Sequence, residues 1–287
     1  MSNKPYDVPP EEAARVRKMY CPGGKWTDNA SSVAATRGDF VMLREIHKVS
    51  TICDPYAVSA AAMVGQFEIY KWLINDLKFP ITSEHAIKAA AEGHYDIVDW
   101  IHQKNSEFIT KSTVNAAASG NSIQCLETTL KFVPEFNTVT DWDYEVMMKG
   151  PCVKYPDVIR FCYDLGARFP DEVLYSNCCR KDAFETFKFL LEEQKHTMED
   201  PGKIAIEVLK NKNMKLVHYL IDSGFDISKA MMYVITSKDL DLYKKMEARG
   251  YKPDRMTLIW VCCERMVETN PVIAYIRSTH SEDHFFD

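Results

Sequence analysis

The sequence predicts an all-α solenoid of about nine stacked helix-turn-helix repeats. Three observations predict it: a recurring pair of small or apolar residues, an amphipathic helix after most pairs, and an aromatic residue in the closing loop. The chain has 287 residues, of which 46% are hydrophobic and 26% charged. It is therefore long enough to bury a sizeable core, and its composition is typical of globular proteins.

The recurring pair defines the repeats. The first members of successive pairs are 26 to 31 residues apart, which is one supersecondary element per step. Small side chains at this position let the first helices of neighbouring repeats approach closely. The pairs are Ala34-Ala35, Ala61-Ala62, Ala89-Ala90, Ala117-Ala118, Met147-Met148, Cys178-Cys179, Val208-Leu209, Val234-Ile235 and Cys262-Cys263.

The second helix of a repeat follows the pair and a short turn. Its apolar residues have i, i+3, i+4 spacing, which marks one face of an amphipathic helix. One hairpin cannot cover its own apolar face, so the repeats are expected to stack. The faces are Ile69/Trp72/Leu73, Ile97/Trp100/Ile101, Val158/Phe161/Cys162, Leu216/Tyr219/Leu220 and Val272/Tyr275/Ile276. The closing aromatic residues are Phe79, Phe108, Phe136, Phe169, Phe225 and Tyr251.

The turn between the two helices contains Gly93 and His94 in the third repeat. Glycine is free to adopt a positive φ, which suits the end of a helix. A histidine beside Asp96 and an aromatic residue could act as a catalytic base. Other repeats place short polar residues at this point, namely Asp39, Gln66, Asn213 and Asp239, so His94 is predicted to be a turn residue.

Charge and cysteine content bound the functional class. The formal net charge of −6, from 35 basic and 41 acidic residues, gives no overall case for nucleic-acid binding. We expect neither a signal peptide nor a membrane span, because no apolar run is long enough. Nine cysteines without CxxC spacing favour free thiols in a reducing cytoplasmic or nuclear compartment. The expected organisation is an N-terminal capping segment over 1–26, the array over 27–277 and an acidic polar tail over 278–287.

The stretch Gly93-His94-Tyr95-Asp96-Ile97-Val98, with its preceding alanines, resembles the core of the ankyrin repeat. Leu165-Gly166-Ala167-Arg168-Phe169 and Asp222-Ser223-Gly224-Phe225-Asp226 resemble the closing loop of that repeat. The resemblance covers about 27–277 and implies an ankyrin-type solenoid. The repeats are shorter than the ~33-residue ankyrin standard, which implies reduced hairpin loops. No repeat carries the family's Thr-Pro-Leu-His box. This short type is similar to arrays of protists and of large DNA viruses of amoebae.

Residues that could carry chemistry have simpler explanations. The segment CPGGKW at 21–26 lacks the full spacing of a phosphate-binding loop. His280 and His284 have metal-ligand spacing but lie in a polar tail without a third ligand. The pairs Cys178-Cys179 and Cys262-Cys263 fall in the pair column, where packing is the expected role and a redox or metal site is the alternative. The acids in DWDYE at 141–145 are predicted to cap a helix, with a cation site as the alternative. We therefore predict no catalytic residue, metal or cofactor.

The leading functional prediction is a non-catalytic scaffold that binds another protein on the concave face of the array. A structural, particle-associated assembly protein and an α-solenoid enzyme are the alternatives. The resemblance implies that the two residues after each pair face this surface, and six of these residues are basic while two are acidic. We expect an apolar anchor and a basic stripe that bind an acidic peptide as a monomer, nucleic acid being the weaker candidate. The predicted contact residues are Met63, Val64, Glu92, Lys149, Arg180, Lys181, Lys210, Asn211 and Arg265.

Overall fold

The computed structural model describes residues 9–20, 29–49, 55–170, 179, 183–194, 198, 200–263 and 269–279. Within these ranges the chain is helical and contains no strand, which confirms the all-α prediction. The chain divides into two compact units. The N-terminal unit comprises 1–152 and 157–168, and the C-terminal unit comprises 153–156 and 169–287.

The N-terminal unit contains ten helices and most of an eleventh among the described residues. They are α1 (Pro10–Tyr20), α2 (Ala30–Arg37), α3 (Phe40–Val49), α4 (Tyr56–Val64), α5 (Phe67–Asn75), α6 (Ser83–Ala91), α7 (Tyr95–Lys104), α8 (Lys111–Ser119), α9 (Ile123–Phe132), α10 (Tyr144–Lys149) and most of α11 (Pro156–Asp164). Short 3-10 turns occur at Ser106–Phe108 and, at the boundary between the units, at Pro151–Lys154.

The C-terminal unit contains seven helices among the described residues. They are α12 (Phe184–Glu192), α13 (Pro201–Lys210), α14 (Met214–Asp222), α15 (Met231–Ser237), α16 (Leu240–Ala248), α17 (Arg255–Cys263) and α18 (Pro271–Thr279). A 3-10 turn at Ser228–Ala230 precedes α15.

First helices contact first helices in the N-terminal unit. Helix α2 packs on α4, α4 on α6, α6 on α8, and α8 on α10. The alanine pairs lie between them, and Ala34, Ala35, Ala61, Ala62, Ala89 and Ala90 are fully buried. Because alanine adds no bulk beyond Cβ, neighbouring helix backbones can lie close together. The predicted packing role of the pairs is confirmed in these helices.

The second helices bury the larger side chains. Tyr70 and Leu73 of α5 and Ile97 and Ile101 of α7 have no exposed surface, and α7 packs on α9. Full burial of such a side chain contributes about 2 kcal/mol. The predicted face Ile69/Trp72/Leu73 is therefore confirmed as buried, whereas in Ile97/Trp100/Ile101 the two isoleucines are buried and Trp100 is half-buried.

Helix α1 packs on α3 in the N-terminal unit. The Arg17 guanidinium donates to the Glu45 carboxylate over 2.7 Å, and the Lys48 ammonium donates over 2.8 Å. The Glu45 side chain has no exposed surface. Burial raises the pKa of Glu45, but the hydrogen bonds and charges of Lys48 and Arg17 outweigh burial and leave the pKa below its usual value.

In the C-terminal unit, α13 packs on α15, and the pair residues of these two helices, Val208, Leu209, Val234 and Ile235, are buried. In α17, Val261 is fully buried, whereas Ile259 is 41% exposed. The side chains of the predicted pair Cys262-Cys263 lie outside the described residues, so this pair stays a prediction.

The cysteines with described side chains are core residues. Cys125, Cys152, Cys162 and Cys179 are buried free thiols. Burial raises the pKa of Cys179 to about 12, so the thiol stays protonated near neutral pH. Packing is therefore confirmed for Cys179. Its neighbour Cys178 lies outside the described residues, as do the side chains of Cys262 and Cys263.

Candidate functional site

The apolar anchor predicted from the sequence lies at the end of α4. Met63 is 43% exposed and Val64 is 38% exposed, although both side chains are apolar. Tyr56, at the start of the same helix, is 74% exposed. Tyr56 and Met63 are seven residues apart, which places them on one helical face. This exposed apolar face of α4 includes a residue that the sequence prediction did not name, and its i, i+7 spacing was the available signal.

Four of the other predicted contact residues are exposed, and three of these four contact a nearby glutamate. Glu92 is exposed at the end of α6. Lys149 and Lys210 are exposed, but each is paired with a glutamate of its own helix, Glu145 at 3.1 Å and Glu207 at 2.7 Å. Asn211 is exposed, and its amide donates to the Glu207 carbonyl over 2.8 Å. The remaining members of the predicted set lie outside the described residues, namely Arg180, Lys181 and Arg265.

The corresponding positions of the fourth repeat are wrong as contact residues. Ser119 and Gly120 are buried. A Cβ at Gly120 would lie 2.7 Å from the Ala91 carbonyl oxygen, so the backbones of the two turns are too close for an added side chain. The Ser119 hydroxyl donates to the Ala116 carbonyl over 2.7 Å. The assignment failed because it assumed the same turn geometry in every repeat.

In the N-terminal unit, each of three turns packs a polar side chain on the glycine of the preceding turn. A Cβ at Gly65 would lie 2.5 Å from two atoms of the His94 ring. His94 Nε2 also lies 3.1 Å from the Met63 carbonyl oxygen. His94 therefore joins two turns, as its predicted structural role requires. The other two contacts place Gln66 on Gly38 and Ser122 on Gly93.

The glycines of these turns have left-handed backbone conformations, with φ of 72° at Gly38, 75° at Gly65 and 83° at Gly93. In the C-terminal unit the same place is occupied by Lys212, with φ of 56°, and Lys238, with φ of 64°. Each lysine directly precedes the N-cap residue of the second helix, Asn213 or Asp239. A residue with a Cβ is disfavoured in this conformation, at a cost of about 1–2 kcal/mol.

A pocket of about 370 Å³ lies next to Lys212. It is lined by residues from two successive turns and from α15, namely Leu209, Lys210, Lys212, Met214, Tyr233, Thr236, Ser237 and Asp239. The Lys210 ammonium lies 5.7 Å from the centroid of the Tyr233 ring. Thr236 and Ser237 follow the eighth pair, so the pocket gathers predicted contact positions from two repeats.

The acidic stretch at 141–145 has a structural role in the described chain. The Asp143 side chain accepts from the Val146 amide over 3.0 Å and caps α10. Asp141 pairs with Lys111 at 2.7 Å and accepts from the Asn137 amide. The helix-capping prediction is therefore confirmed for Asp143, whereas Asp141 joins the preceding loop to Lys111. Among the described residues, no three or more His, Cys, Asp or Glu side chains are grouped to hold a metal ion.

The sequence prediction overlooked a helix cap at the start of α6. The Thr82 side chain accepts from the His85 amide, and the His85 ring accepts from the Thr82 amide at 3.4 Å. His85 Nδ1 also lies 3.3 Å from the Tyr70 hydroxyl. Burial lowers the pKa of His85. The sequence signal was threonine followed three residues later by histidine, the first and fourth positions of the helix-opening box that was judged absent.

No protein-family model matches the chain, and no curated protein matches it. Among the helices of the described chain, none has both the length and the apolar character needed to cross a bilayer.

Proposed function

We propose that this chain is an ankyrin-type array that serves as a non-catalytic scaffold for binding another protein. The succession of α2, α4, α6, α8 and α10 contacts supports a repeat architecture. The cap formed by Thr82 and His85 supports the ankyrin type, because these residue types occupy the first and last positions of that family's box.

The exposed apolar face of α4 is the observation that carries the proposal. Tyr56, Met63 and Val64 lose solvent-exposed apolar surface if a partner covers them, and apolar burial contributes roughly 25 cal/mol per Å². Exposed apolar patches on soluble proteins often mark interaction sites. Arg37 and Glu92 are exposed at the ends of α2 and α6, the two helices that pack on α4. In the proposal, these charged residues form the polar rim of the interface.

The test is a double variant, Met63→Ser with Val64→Ser, used as bait in the native host. Its bound proteins are compared with those of the unchanged chain by quantitative mass spectrometry. We expect at least one partner to be depleted by about ten-fold or more, because an interface centre commonly contributes 2 kcal/mol or more.

Val139→Ser is the matched control, because Val139 is 63% exposed in the same unit but lies in a loop between α9 and α10. All three proteins should have the same helical content by circular dichroism. Recovery of every partner at an unchanged level by the double variant would contradict binding through this face.

A further inference from the structure

We propose that the pocket beside Lys212 binds an acidic side chain from an extended peptide segment of a partner protein. Lys210 and Lys212 line the pocket, and Lys238 lies between two lining residues in sequence. The inference rests on the proposed function, because it gives the chemistry of one partner segment. Lys212 and Lys238 were not among the residues predicted from the sequence.

The charges around the pocket favour an anion. Glu207 is paired with Lys210 at 2.7 Å, and Asp239 caps α16 by accepting from the Leu242 amide over 2.9 Å. The charge of Glu207 is therefore balanced by Lys210, whereas Asp239 keeps its charge beside Lys212 and Lys238. Lys212 and Lys238 are exposed, and no carboxylate of the described chain lies within 4.0 Å of either ammonium group. Two ammonium groups thus remain available to an incoming carboxylate.

The backbone gives an independent reason to assign a role to these two lysines. Glycine occupies the equivalent place in three turns of the N-terminal unit, and it tolerates a positive φ without steric cost. Lysine retains that conformation at Lys212 and Lys238 at the expense of stability. Backbone strain is concentrated at functional sites in proteins. A recognition role for the ammonium groups explains why glycine is replaced at both turns.

The rest of the lining fits a peptide side chain better than a nucleic acid. Leu209, Met214 and Tyr233 provide apolar contacts for the methylene groups of a glutamate, while the lysines receive its carboxylate. Asp239 also lines the pocket, and the whole chain carries a formal net charge of −6. A long polyanion would place further phosphates against this negative charge, whereas a short acidic segment would not.

The experiment measures binding of a fluorescein-labelled oligo-glutamate peptide by fluorescence anisotropy at two salt concentrations. The test protein is the full chain with Lys212→Gly and Lys238→Gly. We expect about ten-fold weaker binding and a smaller salt dependence, because each exposed ion pair changes affinity by several-fold at most. The same variant should unfold at a higher temperature, because glycine relieves both strained turns. Opposite changes in binding and in stability are the expected signature.

Two matched controls separate strain from charge. Lys78→Gly relieves a positive φ of 62° in the N-terminal unit, and it should raise stability without changing binding. Lys252→Gln removes one exposed lysine charge from a loop of the C-terminal unit, and it should leave binding nearly unchanged. Lys212→Gln with Lys238→Gln removes the charges while retaining a side chain, and it should weaken binding like the glycine variant.

Three results would overturn the inference: no binding of oligo-glutamate to the unchanged chain, equal binding by the glycine variant, or an equal loss in Lys252→Gln. If a single-stranded oligonucleotide binds more tightly than oligo-glutamate, and if its binding depends on Lys212, the ligand of the pocket is a nucleic acid and the inference is wrong. None of these results bears on the face of α4. If the Met63 and Val64 variant loses a native partner while oligo-glutamate fails to bind, the proposed scaffold function is retained and only the acidic segment is rejected.

Discussion

In the N-terminal unit the first helices α2, α4 and α6 are followed by a glycine with a positive φ, whereas in the C-terminal unit α13 and α15 are followed by a lysine with a positive φ. Gly38, Gly65 and Gly93 let the next turn pack a side chain directly on the backbone. Lys212 and Lys238 have the same sign of φ but carry a Cβ and a charged chain. The glycine turns contact one another directly. The turns with Lys212 and Lys238 instead border a pocket and expose their lysine side chains. The same repeat position thus joins neighbouring turns in the N-terminal unit and places an exposed lysine beside a pocket in the C-terminal unit.

The largest effect is expected from Gly65→Ala. The new Cβ would lie 2.5 Å from the His94 ring, and alanine is disfavoured at a φ of 75°. Steric displacement and backbone strain together should lower the free energy of unfolding by about 2–3 kcal/mol. Urea denaturation followed by circular dichroism measures the change. An effect under about 0.5 kcal/mol, typical of surface substitutions, would mean that the stacked turns do not hold this unit together.

Acid should weaken the N-terminal unit through His85. Its Nδ1 accepts from the Thr82 amide, and a protonated ring cannot accept there. The pKa of His85 is lowered in the folded chain, so the stabilisation is complete above the unfolded value near 6.5 and is lost as the pH falls through the folded value. The loss should be on the order of 1 kcal/mol, measured as a lower urea midpoint at acidic pH.

His85→Gln is the matched control for the pH dependence. A glutamine oxygen can accept from the Thr82 amide at every pH, so the cap is retained without a titrating group. The stability of this variant should change less between about pH 7.5 and pH 5.5 than that of the unchanged chain, since histidine titrates in that interval. Identical pH profiles for the two proteins would remove His85 as the source.

The smallest effect is expected from Lys238→Gly alone, and its sign is opposite. Relief of the left-handed conformation gains about 1–2 kcal/mol, and the greater freedom of glycine in the unfolded chain returns part of this. The free energy of unfolding should rise by about 0.5–1 kcal/mol. Lys238→Ala keeps a Cβ at the same φ and should give no gain, so a gain with alanine would assign the change to lost charge.

The buried pairs and helix faces were predictable because they depend on spacing within one helix. Ala61-Ala62 and Ile97/Ile101 follow directly from 3.6-residue periodicity. The contact surface was less predictable, because it depends on neighbouring turns. Ser119 holds the same place after its pair as Met63, yet Ser119 is buried, because the backbone of the fifth turn at Gly150 lies directly against it. The sequence shows that Lys212 holds the position that Gly38, Gly65 and Gly93 hold in other repeats, but it does not show the positive φ of this lysine.

The buried carboxylate under α1 limits how this protein can be dissected. Glu45 has no exposed surface, and one of its two cationic partners, Arg17, comes from α1. A truncated chain that begins at α2 would leave that carboxylate with Lys48 alone and would open it to water. Minimal fragments for crystallisation or for grafting binding surfaces should therefore keep α1, or replace Glu45 with an apolar residue when α1 is removed.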